Sequence, residues 1–432
     1  MTAMAWVHKA LCGSAVMAIF LLSFLLSRNS AQLPNFNPDE SRWISRAHYL
    51  ADLADPFGPT WDDQYMTRGQ PPFGSYMTGV GLLLHGRDLT TNPPWDFALT
   101  WEENLAAGHK PVPADLHAAR NLSALLTATT AVALIGIANV YVPFSWALLA
   151  GGIFALHPFS RYIGALATAD AVFGLLIALT ALAIARFAQS RAWQWAATTG
   201  VLLGLGGATK LSPLAVAVGL MGLSLLPTVL PAGWVGGTAA RRRLAGMGLL
   251  VVLAAGVTFV AVYPYLWPDP IGRTVNLFTF RVVEMATQAS DWPVMAVPNR
   301  LEALRRTGVN FSERYSLVGM LAKAAHLRVS RPVLLAEVLL AVAGVGIMGR
   351  EALRAGWLSA QALVLAVLGG QVIVTILGMR SEFDRYHLPA ALLGAVAICV
   401  AAHACMTALH QCFRGWRGRP VSAVHERITA RG

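Results

Sequence analysis

A succession of apolar runs cuts this chain into segments, most of them approaching the about 20 helical residues needed to cross ~30 Å of hydrocarbon. They fall at 9–27, 119–140, 143–158, 161–185, 193–209, 211–230, 245–265, 333–349, 358–379 and 387–409. In a bilayer core the backbone must satisfy its own hydrogen bonds, so runs of this kind form helices. The expected fold class is an all-α polytopic membrane protein of about ten transmembrane helices, a single domain over 1–432. Composition agrees, with 56% of residues hydrophobic and 13% charged, where a soluble domain carries about 25% charged residues.

The net charge of +11 invites a nucleic-acid reading. That reading is excluded, because the Arg residues sit mainly at the ends of apolar runs, where they set orientation. Arg186 and Arg191, Arg241 to Arg243, Arg350 and Arg354, and a basic tail at 410–432 (Arg414, Arg417, Arg419, Arg427, Arg431) mark the cytoplasmic side. The alternation works if one further apolar segment, 72–85, lies in the outer interface without crossing. That gives ten spans with both termini inside; eleven spans is the alternative. Lys9 opens the first run and no A-x-A-like site follows it, so 9–27 is expected to be an uncleaved span. The cysteines Cys12, Cys399, Cys405 and Cys412 have neither disulfide-framework nor zinc spacing. No repeat of 20–50 residues is present. The irregular sequence concentrates outside, in a first extracytoplasmic loop at 28–117, a second at 266–331, and short turns at 157–162, 209–212 and 380–387.

Within the first loop, Asn37-Pro38-Asp39-Glu40-Ser41-Arg42-Trp43 has the grammar of a helix start. Asn37 is an N-cap, Pro38 suits the first helical position, and Glu40 has capping-box spacing. Trp43, Ala47, Leu50 and Ala54 then form an apolar stripe, with Arg42, Arg46 and Tyr49 on the other side. An amphipathic helix lying on the membrane surface is expected. Asp170 lies about nine residues into the fourth run, roughly 13 Å down a helix, and an ionisable group there needs a partner or a polar cavity. Lys210 separates two apolar runs on the outer side. Gly204-Leu205-Gly206-Gly207 is expected to serve helix packing, and no P-loop is present. His157 and His387 are expected to pack or hydrogen-bond. Asn310-Phe311-Ser312 matches a glycosylation acceptor. Loop 266–331 is expected to contain amphipathic interfacial helices, with an acceptor-side lid as the sharper reading.

Carboxylates and cations at one membrane face, with no nucleotide signature, suit sugar transfer from a lipid phosphate. Such a donor already carries a good leaving group. The protein must stabilise the phosphate charge that develops and take a proton from the acceptor hydroxyl. The order of motifs resembles the GT-C class of integral-membrane glycosyltransferases, near the protein O-mannosyltransferases and aminoarabinose transferases. The resemblance rests on Asp39-Glu40, Gln70-Pro71-Pro72-Phe73, Ala119-Arg120, Ser160-Arg161-Tyr162 to Asp170, Thr199-Gly200 to Lys210, Tyr263-Pro264-Tyr265-Leu266-Trp267-Pro268-Asp269-Pro270, and Asp384-Arg385-Tyr386-His387-Leu388-Pro389.

This resemblance implies a GT-C-like fold with interfacial helices in the first outer loop. It also implies a polyprenyl-phosphate-linked sugar donor, an extracytoplasmic protein, lipid or glycan acceptor, and an active site outside a cell (inner) membrane. Asp39 would be the catalytic carboxylate, with Glu40 supporting it or positioning the acceptor. Arg42, Arg68, Arg120, Asp170, Lys210 and Arg385 would bind the donor phosphate and substrate. Gln70 departs from the family, which often has His or Lys there; Arg68 would substitute. A divalent cation stays open, because Asp39, Glu40, Asp62 and Asp63 are all outer carboxylates and would ligate one only by converging. The rival classes are a transporter or lipid-linked-sugar flippase, against which the lack of paired halves counts, and a non-catalytic homologue.

Overall fold

The structure, a computed structural model, describes residues 3–31, 35–229 and 237–417. Of the expected basic tail, Arg419, Arg427 and Arg431 lie outside the described residues. Helix α1 (Ala3–Ala31) leads into the short α2 (Pro38–Ser45), and α3 (Phe73–Leu84) precedes α4 (Pro113–Ala138). Next come α5 (Phe144–Leu156), the short α6 (Pro158–Gly164), α7 (Asp170–Ser190), α8 (Trp193–Gly207), α9 (Ser212–Val229) and α10 (Thr238–Ala261). The second long loop forms α11 (Pro270–Asp291), α12 (Arg300–Val309) and α13 (Leu317–Ala324). Three last helices, α14 (Arg331–Ala355), α15 (Ala360–Gly378) and α16 (Leu388–Arg417), complete the bundle. Among the described residues there is no β-strand, only one bridge between Ala296 and Ser381. Among the described residues seven helices (α1, α4, α7, α10, α14, α15 and α16) are long and apolar enough to cross a membrane; α3, α5 and α9 are apolar but shorter.

The main core joins α4, α5, α7 to α10 and α14 to α16 around residues such as Leu134, Phe154, Phe187, Val251 and Val396. Helices α8 and α10 touch backbone to backbone. A Cβ on Gly200 would lie 2.5 Å from the Val251 carbonyl, and one on Gly204 would lie 2.6 Å from that of Ala255. Only glycine permits this approach, which fixes where α8 ends and therefore where Lys210 stands.

Helix α3 is 12 residues long, about 18 Å at the helical rise, and too short to span. Its first amide, Phe73 N, donates to Ala208 O at 2.8 Å, just before Lys210. Beyond its other end, His85 meets Asn121 near the start of α4.

Two expectations need correction. The helix after Asn37 is not a surface amphipath. It ends at Ser45, continues as a 3-10 turn over Arg46–His48 and one α-turn over Tyr49–Asp52, and most of its residues from Glu40 to Tyr49 are buried. Arg46 and Tyr49, expected on the polar side, are 2% and 3% exposed, because Gln70 covers Arg46 and Trp61 and Tyr76 of α3 cover Tyr49. The fourth apolar run is not one helix either. It breaks into α6 and α7 at 165–169, so Asp170 is the first residue of α7, not a group ~13 Å inside a span.

In the second loop, α11 is amphipathic. Leu277 is buried, while Ile271, Val275, Phe278 and Val282 form an exposed stripe at helical spacing.

Candidate active site

The break between α6 and α7 has an identifiable cause. The Ala167 amide donates to Glu40 Oε1 at 2.8 Å and is lost to any helical ladder. Glu40 is fully buried. It receives two bonds from Arg120, Nε to Oε1 and Nη2 to Oε2, both 2.7 Å, and its Oε2 also accepts from the Asn37 amide at 2.8 Å. Arg120 donates onward to the carbonyls of Ala31 and Asn35. One buried ion pair thus ties the end of α1, the start of α2, the second turn of α4 and the α6–α7 break together. Glu40 completes the capping box, and Asn37 Oδ1 accepts from the Asp39 amide at 2.9 Å. Glu40 and Arg120, both expected at the substrate, pair with each other.

With Glu40 turned inward, Asp39 faces outward and is only part-buried. Its Oδ2 accepts from Arg385, in the 3-10 turn Asp384–His387 that opens α16. A second pair stands nearby, in which Lys210, between α8 and α9, donates to Asp170 at the start of α7. Thr168 Oγ1 donates to the other Asp170 oxygen at 2.8 Å. Tyr386 links the two pairs, its ring centroid 5.7 Å from Lys210 Nζ and 6.0 Å from the Arg385 guanidinium. The structure therefore brings Asp39, Asp170, Lys210 and Arg385 together from four places in the chain, at helix ends where backbone dipoles and side-chain charges meet.

Arg42, one turn beyond Asp39 on α2, has no carboxylate partner among the described residues. Its guanidinium lies 5.4 Å from the Tyr65 ring and 5.0 Å from that of Phe97, and Nη2 touches Met66 Sδ at 3.8 Å. Its buried Nε has no hydrogen-bond partner. Arg68 sits farther out, with Nε 3.2 Å from Asp63 and its guanidinium 5.3 Å from the Phe280 ring of α11.

Gln70 meets a cation from within the protein. Arg46 donates to its side-chain oxygen at 2.6 Å and its carbonyl at 2.7 Å, while stacking near Trp43 and Tyr49. Burial pushes the Arg46 guanidinium below its ordinary value and the Tyr49 phenol above its own. Three of the four outer carboxylates have separate partners. Glu40 faces Arg120, Asp39 faces Arg385, and Asp63 accepts from Tyr265 at 2.9 Å. Among the described residues no group of three or more His, Cys, Asp or Glu is placed to hold a metal.

The turn carrying Arg385 is braced by the second long loop. Asp384 accepts from Arg314 at 2.5 Å and from the Tyr315 hydroxyl at 2.9 Å. Burial and this carboxylate push the Tyr315 phenol above its ordinary value. Glu382 accepts from Arg306 at 3.1 Å and Asn310 at 2.7 Å, and Asn310 also contacts buried His387 at 2.7 Å. Asn310 is 6% exposed, so the glycosylation-like triplet is a packing element. His157 caps α6, accepting from the Phe159 amide at 3.2 Å, and lies 3.4 Å from Glu337. His157 and His387 hydrogen-bond as expected, whereas the pairing of Arg306, Asn310, Arg314 and Tyr315 with the turn has no local signature in the sequence.

Residues 61–273 match the family described as dolichyl-phosphate-mannose-protein mannosyltransferase. No curated protein matches by sequence. Among solved structures, the archaeal oligosaccharyltransferase AglB from Archaeoglobus fulgidus, in complex with an inhibitory peptide and a dolichol-phosphate, is similar over 96% of this chain and 53% of its own. The TM-score is 0.56 at 12% identity. ArnT from Cupriavidus metallidurans, bound to undecaprenyl phosphate, is similar over 93% of this chain and 60% of its own, with a TM-score of 0.51 at 16% identity. The chain thus spans just over half the length of the first and three-fifths of the second.

Proposed function

For a chain with the fold of the GT-C class of integral-membrane glycosyltransferases, we propose transfer of a single sugar from a polyprenyl-phosphate donor to an extracytoplasmic acceptor, with inversion. The observation that carries this reading is the outward-facing Asp39 on one short helix with Arg42, a guanidinium that no carboxylate among the described residues neutralises. Asp39 takes the proton of the acceptor hydroxyl as its oxygen bonds the anomeric carbon. The bond from that carbon to the phosphate oxygen breaks on the opposite face, and its electrons leave on polyprenyl phosphate. Arg42 and Lys210 stabilise that charge, with Arg68 at the rim. Arg385 bridges the two events, because a donor phosphate offers it a second anion besides Asp39. Asp170 keeps Lys210 in place. Glu40 and Arg120 hold the helix that carries Asp39. The bundle sits in a cell (inner) membrane, with this end outside.

The test is transfer of radiolabelled sugar from a synthetic polyprenyl-phosphate donor in reconstituted vesicles. Asp39→Asn should fold normally and lose about 10²–10⁴-fold in rate, the usual range for a general base. Full activity in that variant would remove Asp39 from the role.

A further inference from the structure

Another guanidinium without a carboxylate partner among the described residues, that of Arg161, shares a cleft with Asn37, Pro38 and Glu40, the residues on either side of Asp39. A cleft of about 620 Å³ runs beside Asn37 and Pro38, with Arg161 and Tyr162 of α6 and Met320 of α13 among its walls. Arg161 Nη1 touches the Met320 sulfur at 3.6 Å, and among the described residues its buried Nε has no hydrogen-bond partner. No carboxylate lies within ion-pair range of it among the described residues. Arg42 is held in the same manner, against the sulfur of Met66 and with an orphaned Nε. A thioether is a weak acceptor, so each guanidinium keeps its planar donor fork available for a carboxylate or phosphate.

The other charged groups lining the cleft, Glu40 and Arg120, neutralise each other. Arg161 therefore leaves the cleft with a net positive charge. Asn35, Asn37 and Tyr162 add polar contacts, while Phe36, Leu166 and Met320 are apolar. Ser30, in the last turn of α1, closes one wall, and α1 continues from there as an apolar helix with Leu22 and Leu25 exposed. A ligand suited to these walls carries an anionic group beside its reacting hydroxyl and an apolar portion that continues along α1. The volume falls within the range of small-ligand sites.

We propose that this cleft is the acceptor site, and that the acceptor is a membrane lipid whose phosphate pairs with Arg161 while its hydroxyl reaches Asp39. The inference rests on Asp39 as base. It divides the two anions of the reaction, donor phosphate at Arg42 and acceptor phosphate at Arg161.

The experiment measures binding without turnover, using the full chain in neutral-lipid nanodiscs. The probes are short-chain phosphatidic acid, inorganic phosphate, an acidic peptide and polyprenyl phosphate. Phosphatidic acid should bind the wild type, weaken at least tenfold in Arg161→Gln, largely recover in Arg161→Lys, and be unchanged in Arg42→Gln. Met320→Glu, which places a carboxylate beside Arg161 and keeps it paired, should also abolish binding. Polyprenyl phosphate should show the reverse, weakened by Arg42→Gln and unaffected by Arg161→Gln. Equal binding of phosphatidic acid to wild type and Arg161→Gln would overturn the site. Preferential binding of the acidic peptide would overturn the lipid assignment, as would inorganic phosphate binding as tightly as phosphatidic acid. Failure of the donor reading would show separately, in the polyprenyl-phosphate arm and in sugar transfer by Asp39→Asn.

Discussion

Arg385 is hydrogen-bonded to Asp39, across 346 residues of sequence. The carboxylate proposed to accept a proton is thus already held by the cation whose other neighbour would be the donor phosphate.

That arrangement makes the two residues energetically dependent. In sugar transfer, Arg385→Gln and Asp39→Asn should each lower kcat/KM, and the double variant should lose less than the two losses combined. Residues in direct contact couple by about 0.5–3 kcal/mol. Additivity within the error of the cycle would show that the pair does not act together.

The Glu40–Arg120 pair is a stability element. Removing one partner of a buried pair costs about 3–5 kcal/mol, because it strands the other charge. Arg120→Leu and Glu40→Leu should each sharply lower the unfolding temperature in detergent, and the double variant should be less damaged than the sum of the two. Arg120→Leu with unaltered melting would contradict this account.

Lys210 should contribute chiefly through the donor. A charge-assisted hydrogen bond is worth about 1.5–3 kcal/mol, so Lys210→Met should lower kcat/KM for the donor roughly 10- to 100-fold in a folded protein. Asp170→Asn should act in the same direction, since it frees Lys210 to move. Removing both should be little worse than removing Lys210.

Glu302 supplies a pH dependence outside the spans. Hydrogen bonds from Arg305 and Arg306 pull its carboxyl down from 4.5 to about 2. The folded value lies below the unfolded one, so this group's stabilisation is fully present above the ordinary Glu range. It is lost as pH falls from there toward about 2. Glu302→Gln should melt below the wild type at neutral pH, and the gap should close only in that acidic window. A gap independent of pH would exclude the ion pairs as its source.

Reporter fusions after residues 100 and 240 test the sidedness. They should report opposite faces, with residue 100 outside. A cytoplasmic signal at 100 would contradict the placement of α3.

The segmentation into long helices was legible because apolar runs are a strong local signal. The helix start at Asn37 was equally legible, since a cap is written within four residues. What could not be read was which of two adjacent carboxylates faces inward. Glu40 is buried because Arg120 and the Ala167 amide wait for it, and neither partner is near in sequence. The same holds for Arg46, whose burial depends on chain segments that close over it. Asp170 was misplaced because an apolar run conceals a break made by a hydrogen bond from outside the helix. Lys210, by contrast, was legible as a charge interrupting hydrophobic sequence, though its partner was not.

The bond from Ala167 to Glu40 also has a consequence for how the chain is made. Synthesis runs from the N-terminus, so Glu40 emerges long before Arg120 and longer still before Ala167. Until the segment between α6 and α7 has been delivered, this carboxylate lacks part of its final surroundings, and the first loop lacks the tie that seats it. Maturation of the loop bearing Asp39 is therefore timed by a later stretch of the polypeptide, so that a nascent chain interrupted before α6 would carry every residue of α2 and still lack its finished geometry.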